Sequence, residues 1–154
     1  MNLEKIIKLL DLKPHVEGGF YRETYRSQQL FGERNISTAI YYLLPKGEKS
    51  HFHRIASDEI WHFYLGGALE IVQISPEGKL EKIVLGTDLE AGQVLQYCVP
   101  AGYWFGAVPC TKIDFTLVGC TVSPGFSFND FELGDRQQLL QLFPRAEKEI
   151  LYFT

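Results

Sequence analysis

His51 and His53 stand two residues apart, and Glu59 follows beyond a short bend. Side chains alternate faces along a strand, so a strand through this stretch points both imidazoles the same way. Glu59 can face them from the neighbouring strand. Two imidazoles and a carboxylate on one concave face are the ligand set of a two-histidine, one-carboxylate metal centre, with His51, His53 and Glu59 as candidate ligands. The same three residues read equally well as hydrogen-bonded polar groups lining a pocket. Within its strand Glu59 shares a face with Trp61 and Phe63. His62 falls opposite, with Ile60 and Tyr64, and joins the site only if a bulge re-aims it.

The elements that must position these groups are short strands separated by glycine and proline turns. Pro45-Lys46-Gly47 precedes the histidine stretch and Gly66-Gly67 follows it. Strands are predicted over residues 20–26, 37–44, 68–74, 80–85, 94–99, 103–108 and 112–122, with 68–85 forming a hairpin and 32–35 a loop. In the first of them Tyr21, Glu23 and Tyr25 share one face and Arg22, Thr24 and Arg26 the other. Polar groups on both faces suit a strand beside a pocket or partner, or a solvated edge. Pro100-Ala101-Gly102 turns the chain into Tyr103-Trp104-Phe105. Phe126, Phe128 and Phe131 either cover a barrel mouth, pack on a second subunit or form a satellite core. Asn2 is placed to cap a helix carrying Leu3, Ile6, Ile7 and Leu10, and Asp135 a helix stopped by Pro144. The tail 150–153 reads as an edge strand. The pattern predicts a mainly β single domain over residues 1–154: an antiparallel double-sheet jelly roll, core about 16–133, with short N- and C-terminal helices.

Composition narrows the function classes. The 154 residues carry a formal net charge of −4, which gives no basic footprint for nucleic acid. Arg22, Arg26 and Arg34 form either a local anion site or ordinary surface ion pairs. Three cysteines without a Cys-x-x-Cys pair fit reduced thiols. No apolar run reaches the roughly 20 residues that span a bilayer, and the charged, amphipathic N-terminus does not read as a signal peptide. A cytoplasmic protein is expected.

Gly47, His51-x-His53, Glu59 and Gly66 resemble the first cupin motif, with a slightly long gap between His53 and Glu59. The run from Gly92 to Phe105 resembles the second, through its glycine and Pro100-x-Gly102. Where that motif ends in a metal-binding histidine, this chain has Phe105. Residues 17–27, 50–64, 99–107 and 117–133 resemble more closely a branch of small single-domain cupins long carried as a domain of unknown function. The resemblance implies a cupin barrel (the double-stranded β-helix, or RmlC-like jelly roll) and a homodimer.

Such a barrel holds a small polar ligand, sugar-like or bearing a carbonyl or carboxylate, at one mouth. His51, His53 and Glu59 are the candidate catalytic residues, with Tyr21, Glu23, Gln96, Trp104 and Phe105 lining the pocket. One expectation is metal-free isomerase or epimerase chemistry, resembling the sugar-nucleotide epimerase cupins: a histidine takes a proton next to a carbonyl, Glu59 orients it and a tyrosine returns a proton. A second is a metal-dependent enzyme using iron, manganese, nickel or zinc. A third is a binding or storage-like module without turnover.

Overall fold

A computed structural model describes residues 2–110 and 113–154. Its first strands are β1 (Lys13–Pro14), β2 (Phe20–Arg26), β3 (Leu30–Phe31), β4 (Arg34–Asn35), β5 (Thr38–Pro45) and β6 (Ser50–Arg54). They are followed by β7 (Asp58–Gly66), β8 (Leu69–Ile74), β9 (Leu80–Leu85), β10 (Gln96–Val99), β11 (Trp104–Pro109), β12 (Phe115–Ser123) and β13 (Glu132–Leu133). A six-stranded sheet in the order β1-β2-β5-β12-β7-β10 faces a five-stranded one, β13-β6-β11-β8-β9, and β3 pairs with β4 as a separate hairpin. All of these pairings are antiparallel. This is the predicted jelly roll.

Strand alternation sorts the apolar side chains into three layers. Tyr42, Leu44, Trp61, Ile71 and Phe105 point between the sheets. Leu43 and Leu117 point outward beneath helix α1 (Leu3–Leu9), whose Ile6 is buried against them. Phe52, Val72 and Trp104 point outward on the other sheet, beneath α2 (Arg136–Leu142) and α3 (Glu147–Phe153). Both predicted caps form: Asn2 Oδ1 accepts the Lys5 N–H at 3.0 Å, and Asp135 Oδ1 accepts the Gln138 N–H at 2.9 Å.

The tail is a helix, not an edge strand. Ile150 and Phe153, three residues apart, both face the five-stranded sheet, and Phe153 stacks on Phe52 with ring centroids 4.9 Å apart. Residues 32–35 contribute to the β3–β4 hairpin rather than a plain loop, turning at Gly32 with φ 63°. The predicted strand 112–122 is β12; Lys112 lies outside the described residues.

Three β-bulges set which side chains meet between the sheets. On β2, Glu23 pairs with Ile40 and Tyr25 with Ala39, so Thr24 is the extra residue. On β6, His53 pairs with Phe105 and Ser50 with Ala107, so three steps on β6 match two on β11. On β7, Tyr64 is extra between Phe63 and Leu65. Each bulge breaks the period of two that the sequence reading assumed.

Candidate functional site

A cavity of about 410 Å³ opens between the sheets at the end where β2, β5, β6, β7 and β12 converge. His53, Glu59 and Tyr21 line it as expected, as does Glu23 at the rim. His15 and Glu17, which the sequence reading did not select, line it too. They precede Gly18 and Gly19, both in left-handed conformations with φ 113° and 69°. A Cβ on Gly18 would lie 2.2 Å from Lys49 O, and one on Gly19 2.5 Å from Leu43 O. Only glycine permits this close crossing, and the crossing carries Glu17 between the sheets.

Glu17 is anchored through its backbone as well as its side chain. Its carbonyl accepts the His51 backbone N–H at 2.8 Å and the His51 Nδ1–H at 2.8 Å. Tyr42 donates its hydroxyl to Gly18 O at 2.7 Å. The Glu17 carboxylate lies 2.9 Å from His53 Nε2, while His53 Nδ1 donates to His51 O at 2.7 Å. Both His53 nitrogens therefore face acceptors, which fits an imidazolium. Burial alone would lower the His53 pKa, but the charge and hydrogen bond of Glu17 outweigh it and hold the imidazole above its ordinary value. Burial alone would raise Glu17, and His53 holds it below the usual carboxylate range. Phe105 packs against one side of the His53 ring at 4.2 Å and Phe131 stacks on it at 5.3 Å.

Glu59 is the second buried carboxylate on the cavity, 8% exposed. Among the described residues no basic side chain forms a salt bridge with it. Burial and the neighbouring Glu17 charge push its pKa up to about 7. His15 takes the opposite state to His53. Its Nδ1 accepts the Glu17 backbone N–H at 3.1 Å, which places the proton of the neutral ring on Nε2, and burial lowers its pKa. Cys120 completes this end of the cavity, its thiol pushed well up by burial and by the Glu59 charge.

A strap from Gly125 to Asp130 closes the outer wall. Arg34 holds it by binding the Asp130 carboxylate and the Gly125 carbonyl. Arg26 donates to Phe126 O at 3.1 Å. The Phe126 N–H reaches Thr38 Oγ1 at 2.8 Å. Phe126 and Phe128 pack edge to face at 4.8 Å beside the cavity. Phe126 and Phe128 thus stand at the mouth, the first of the alternatives open to them, and Phe131 packs against them and on His53.

Several expectations are corrected. His51 shares a strand with His53, but the β6 bulge separates them; His51 is spent on the Glu17 carbonyl and does not line the cavity. Trp104 points outward under the helices with Arg54 over its ring at 4.7 Å, because adjacent strand residues face opposite ways. Phe105 points inward, packed behind His53 and against Trp61 rather than on the cavity wall. Gln96 is exposed on β10, opposite His62. Arg26, assigned to the face opposite Glu23, meets it across the Thr24 bulge in a two-pronged pair, with Nε–Oε1 at 2.8 Å and Nη2–Oε2 at 2.9 Å. His62 stays outside as predicted, bonded to Thr121 Oγ1 at 3.0 Å.

The donor set does not fit the two-histidine, one-carboxylate metal centre. Among the described residues no group of three or more His, Cys, Asp or Glu side chains is arranged to hold a metal ion. His51 does not join His53 and Glu59.

Comparison with known proteins agrees with the fold. Residues 4–134 match the model of the Cupin superfamily (DUF985). Protein SO0799 from Shewanella oneidensis is 46% identical, with a TM-score of 0.95 covering 100% of this chain and 98% of that one. The uncharacterized protein YML079W of Saccharomyces cerevisiae is 30% identical over 148 residues, 84% of this chain and 73% of the yeast protein. Oxalate decarboxylase from Bacillus subtilis shares 15% identity at a TM-score of 0.61, over 92% of this chain and 36% of that one. This last likeness is one of fold.

Proposed function

Because the chain belongs to the Cupin superfamily (DUF985), we propose that its barrel cavity binds a small polar carbonyl compound and moves a proton next to the carbonyl, as an isomerase or epimerase does. One observation carries the reading: two buried carboxylates share the cavity, and their surroundings drive their protonation apart. Glu17 is fixed as the anion of an ion pair with His53. Glu59, pushed up to about 7, exchanges a proton near neutral pH.

In this reading the roles differ from those expected of the sequence. Glu59, not a histidine, takes the proton from carbon. Glu17 rather than Glu59 orients His53. The protonated His53 ring supplies the positive field that favours a developing enolate oxygen. Tyr21, which also lines the cavity, returns a proton on the other face. Phe126 and Phe128 limit water at the reacting carbon.

The test is proton exchange in heavy water with a panel of short hydroxyaldehydes and hydroxyketones, followed by proton NMR. Loss of the proton beside the carbonyl with wild type, and at least about a hundredfold less with Glu59→Gln, is expected. No exchange across the panel overturns the isomerase reading. A binding module without turnover is the second reading, favoured by the complete engagement of both His53 nitrogens.

We also propose that this protein works in the cytoplasm as a homodimer. Among the described residues no helix is long and apolar enough to cross a membrane. An apolar groove beside α1, bordered by Leu9, Tyr64 and Leu65, all exposed, supports the dimer. Analytical ultracentrifugation reads it directly, and a monomer at micromolar concentration overturns it.

A further inference from the structure

We propose that the cavity selects uncharged, hydroxyl- and carbonyl-bearing compounds and turns away carboxylates and phosphates, because its cationic side chains are already bound to carboxylates of the protein. This narrows the ligand class of the site described above and rests on the reading of that cavity as a binding site.

The floor decides most of it. His53 is the cation there, 3% exposed, and its Nε2 is occupied by Glu17 at 2.9 Å. Glu59, which has no salt-bridge partner among the described residues, lines the same floor. One imidazolium thus faces two carboxylates. An anion reaching this depth either leaves Glu17 buried without its partner or stands as a third carboxylate beside one cation.

The rim repeats the pattern. Arg26 makes four hydrogen bonds: two to Glu23, one to Asn35 Oδ1 at 2.8 Å and one to Phe126 O at 3.1 Å. A guanidinium has five N–H donors, so too few remain for a two-pronged grip on a carboxylate or phosphate. Arg34 is engaged with Asp130 and the Gly125 carbonyl. Glu33 adds a further acidic group to the wall. Arg26, Arg34 and His53 are matched by Glu23, Asp130 and Glu17, and among the described residues Glu33 and Glu59 remain over. The same wall offers neutral ligands what they need. Tyr21 presents a hydroxyl, His15 carries a proton on Nε2, and the Glu59 carboxylate can accept from a ligand hydroxyl.

The experiment follows the His15 and His53 ring carbon–proton resonances of the full chain at pH 7.5. Glyceraldehyde and its four- to six-carbon homologues are titrated as neutral probes. Glycerate, oxalate and inorganic phosphate are the anionic probes, and serinol, an amino diol, is the cationic one. Shifts with a neutral probe, and at least about tenfold weaker responses to every anion, are expected. Glu23→Gln, which releases Arg26, is expected to gain a phosphate response. An anion that binds wild type as tightly as the best neutral probe overturns the proposal, as does silence towards all neutral probes or tighter binding of serinol. If Glu23→Gln does not fold, the wild-type comparison alone decides. Because only binding is read, charge selection fails here independently of proton exchange, whose own failure appears in heavy water with these titrations intact.

Discussion

His53 Nε2 and Glu17 Oε2 lie 2.9 Å apart with both side chains less than a tenth exposed, so neither charge has water to fall back on. Removing one partner strands the other. Glu17→Ala is expected to lower stability by about 3–5 kcal/mol, the range for breaking a buried ion pair. Urea denaturation at pH 7 measures it, and a loss below about 1 kcal/mol would mean that the pair is not ionised.

Glu59 gives stability a pH signature with a definite sign. Its folded pKa of about 7 lies above the ordinary 4.5, so between these values the folded state holds a proton that the unfolded state has lost. Its contribution therefore falls as pH rises from 4.5 to 7, by up to about 3 kcal/mol, and stays low above 7. Glu59→Gln is expected to remove that slope and to be the more stable protein at pH 8. Parallel stability curves for the two proteins from pH 5 to 8 would contradict the assignment.

The ion pair bends the profile in two other places. Glu17, held low, adds stability above its ordinary value that is lost as pH falls through its folded pKa. His53, held high, adds stability below its ordinary value that is lost as pH rises through its folded pKa. In Glu17→Gln, proton NMR should show His53 titrating at lower pH than in wild type. An unchanged titration sinks the pairing.

His51 and His53 are separable by mutation. His51→Ala removes one hydrogen bond to the Glu17 carbonyl and is expected to cost about 1 kcal/mol while leaving ligand binding within about threefold. His53→Ala is expected to abolish binding of the same ligand. Equal loss of binding in both variants would return His51 to the cavity.

Arg34→Ala should loosen the strap without disturbing the sheets. Amide exchange is expected to quicken by about tenfold at Gly125, whose N–H bonds Asn35 O, and at Phe126, while Val118 in β12 is unaffected. Unchanged exchange at both strap amides would show that Arg34 does not hold it.

Much of this architecture is legible in the residues. Turn chemistry and alternation give the jelly roll, and Asn2 and Asp135 announce their helices. The inward face of Glu59 and Trp61 and the outward turn of His62 also follow from alternation alone. Legibility fails where one extra residue enters a strand. The bulges at Thr24 and within β6 leave no compositional mark, so strict alternation turns Arg26 away from Glu23 and His51 towards the cavity. Glu17 was missed for a different reason: it sits in a turn, and turns are read for their glycines. Gly18 and Gly19 were the available signal, since consecutive glycines often mark a close backbone crossing. Trp104 was misplaced because two neighbouring aromatics were given one face, which a strand forbids.

Trp61 and Trp104 are the chain's two tryptophans, and they belong to different layers. The molecule consequently carries two built-in optical reporters. Trp61, edge-on to Tyr42 and Phe105, senses the barrel interior beside His53. Trp104 senses whether α2 and α3 remain docked. Replacing either with phenylalanine leaves a single emitter. Fluorescence can then time the loss of the helical cover separately from the opening of the barrel, with no attached dye.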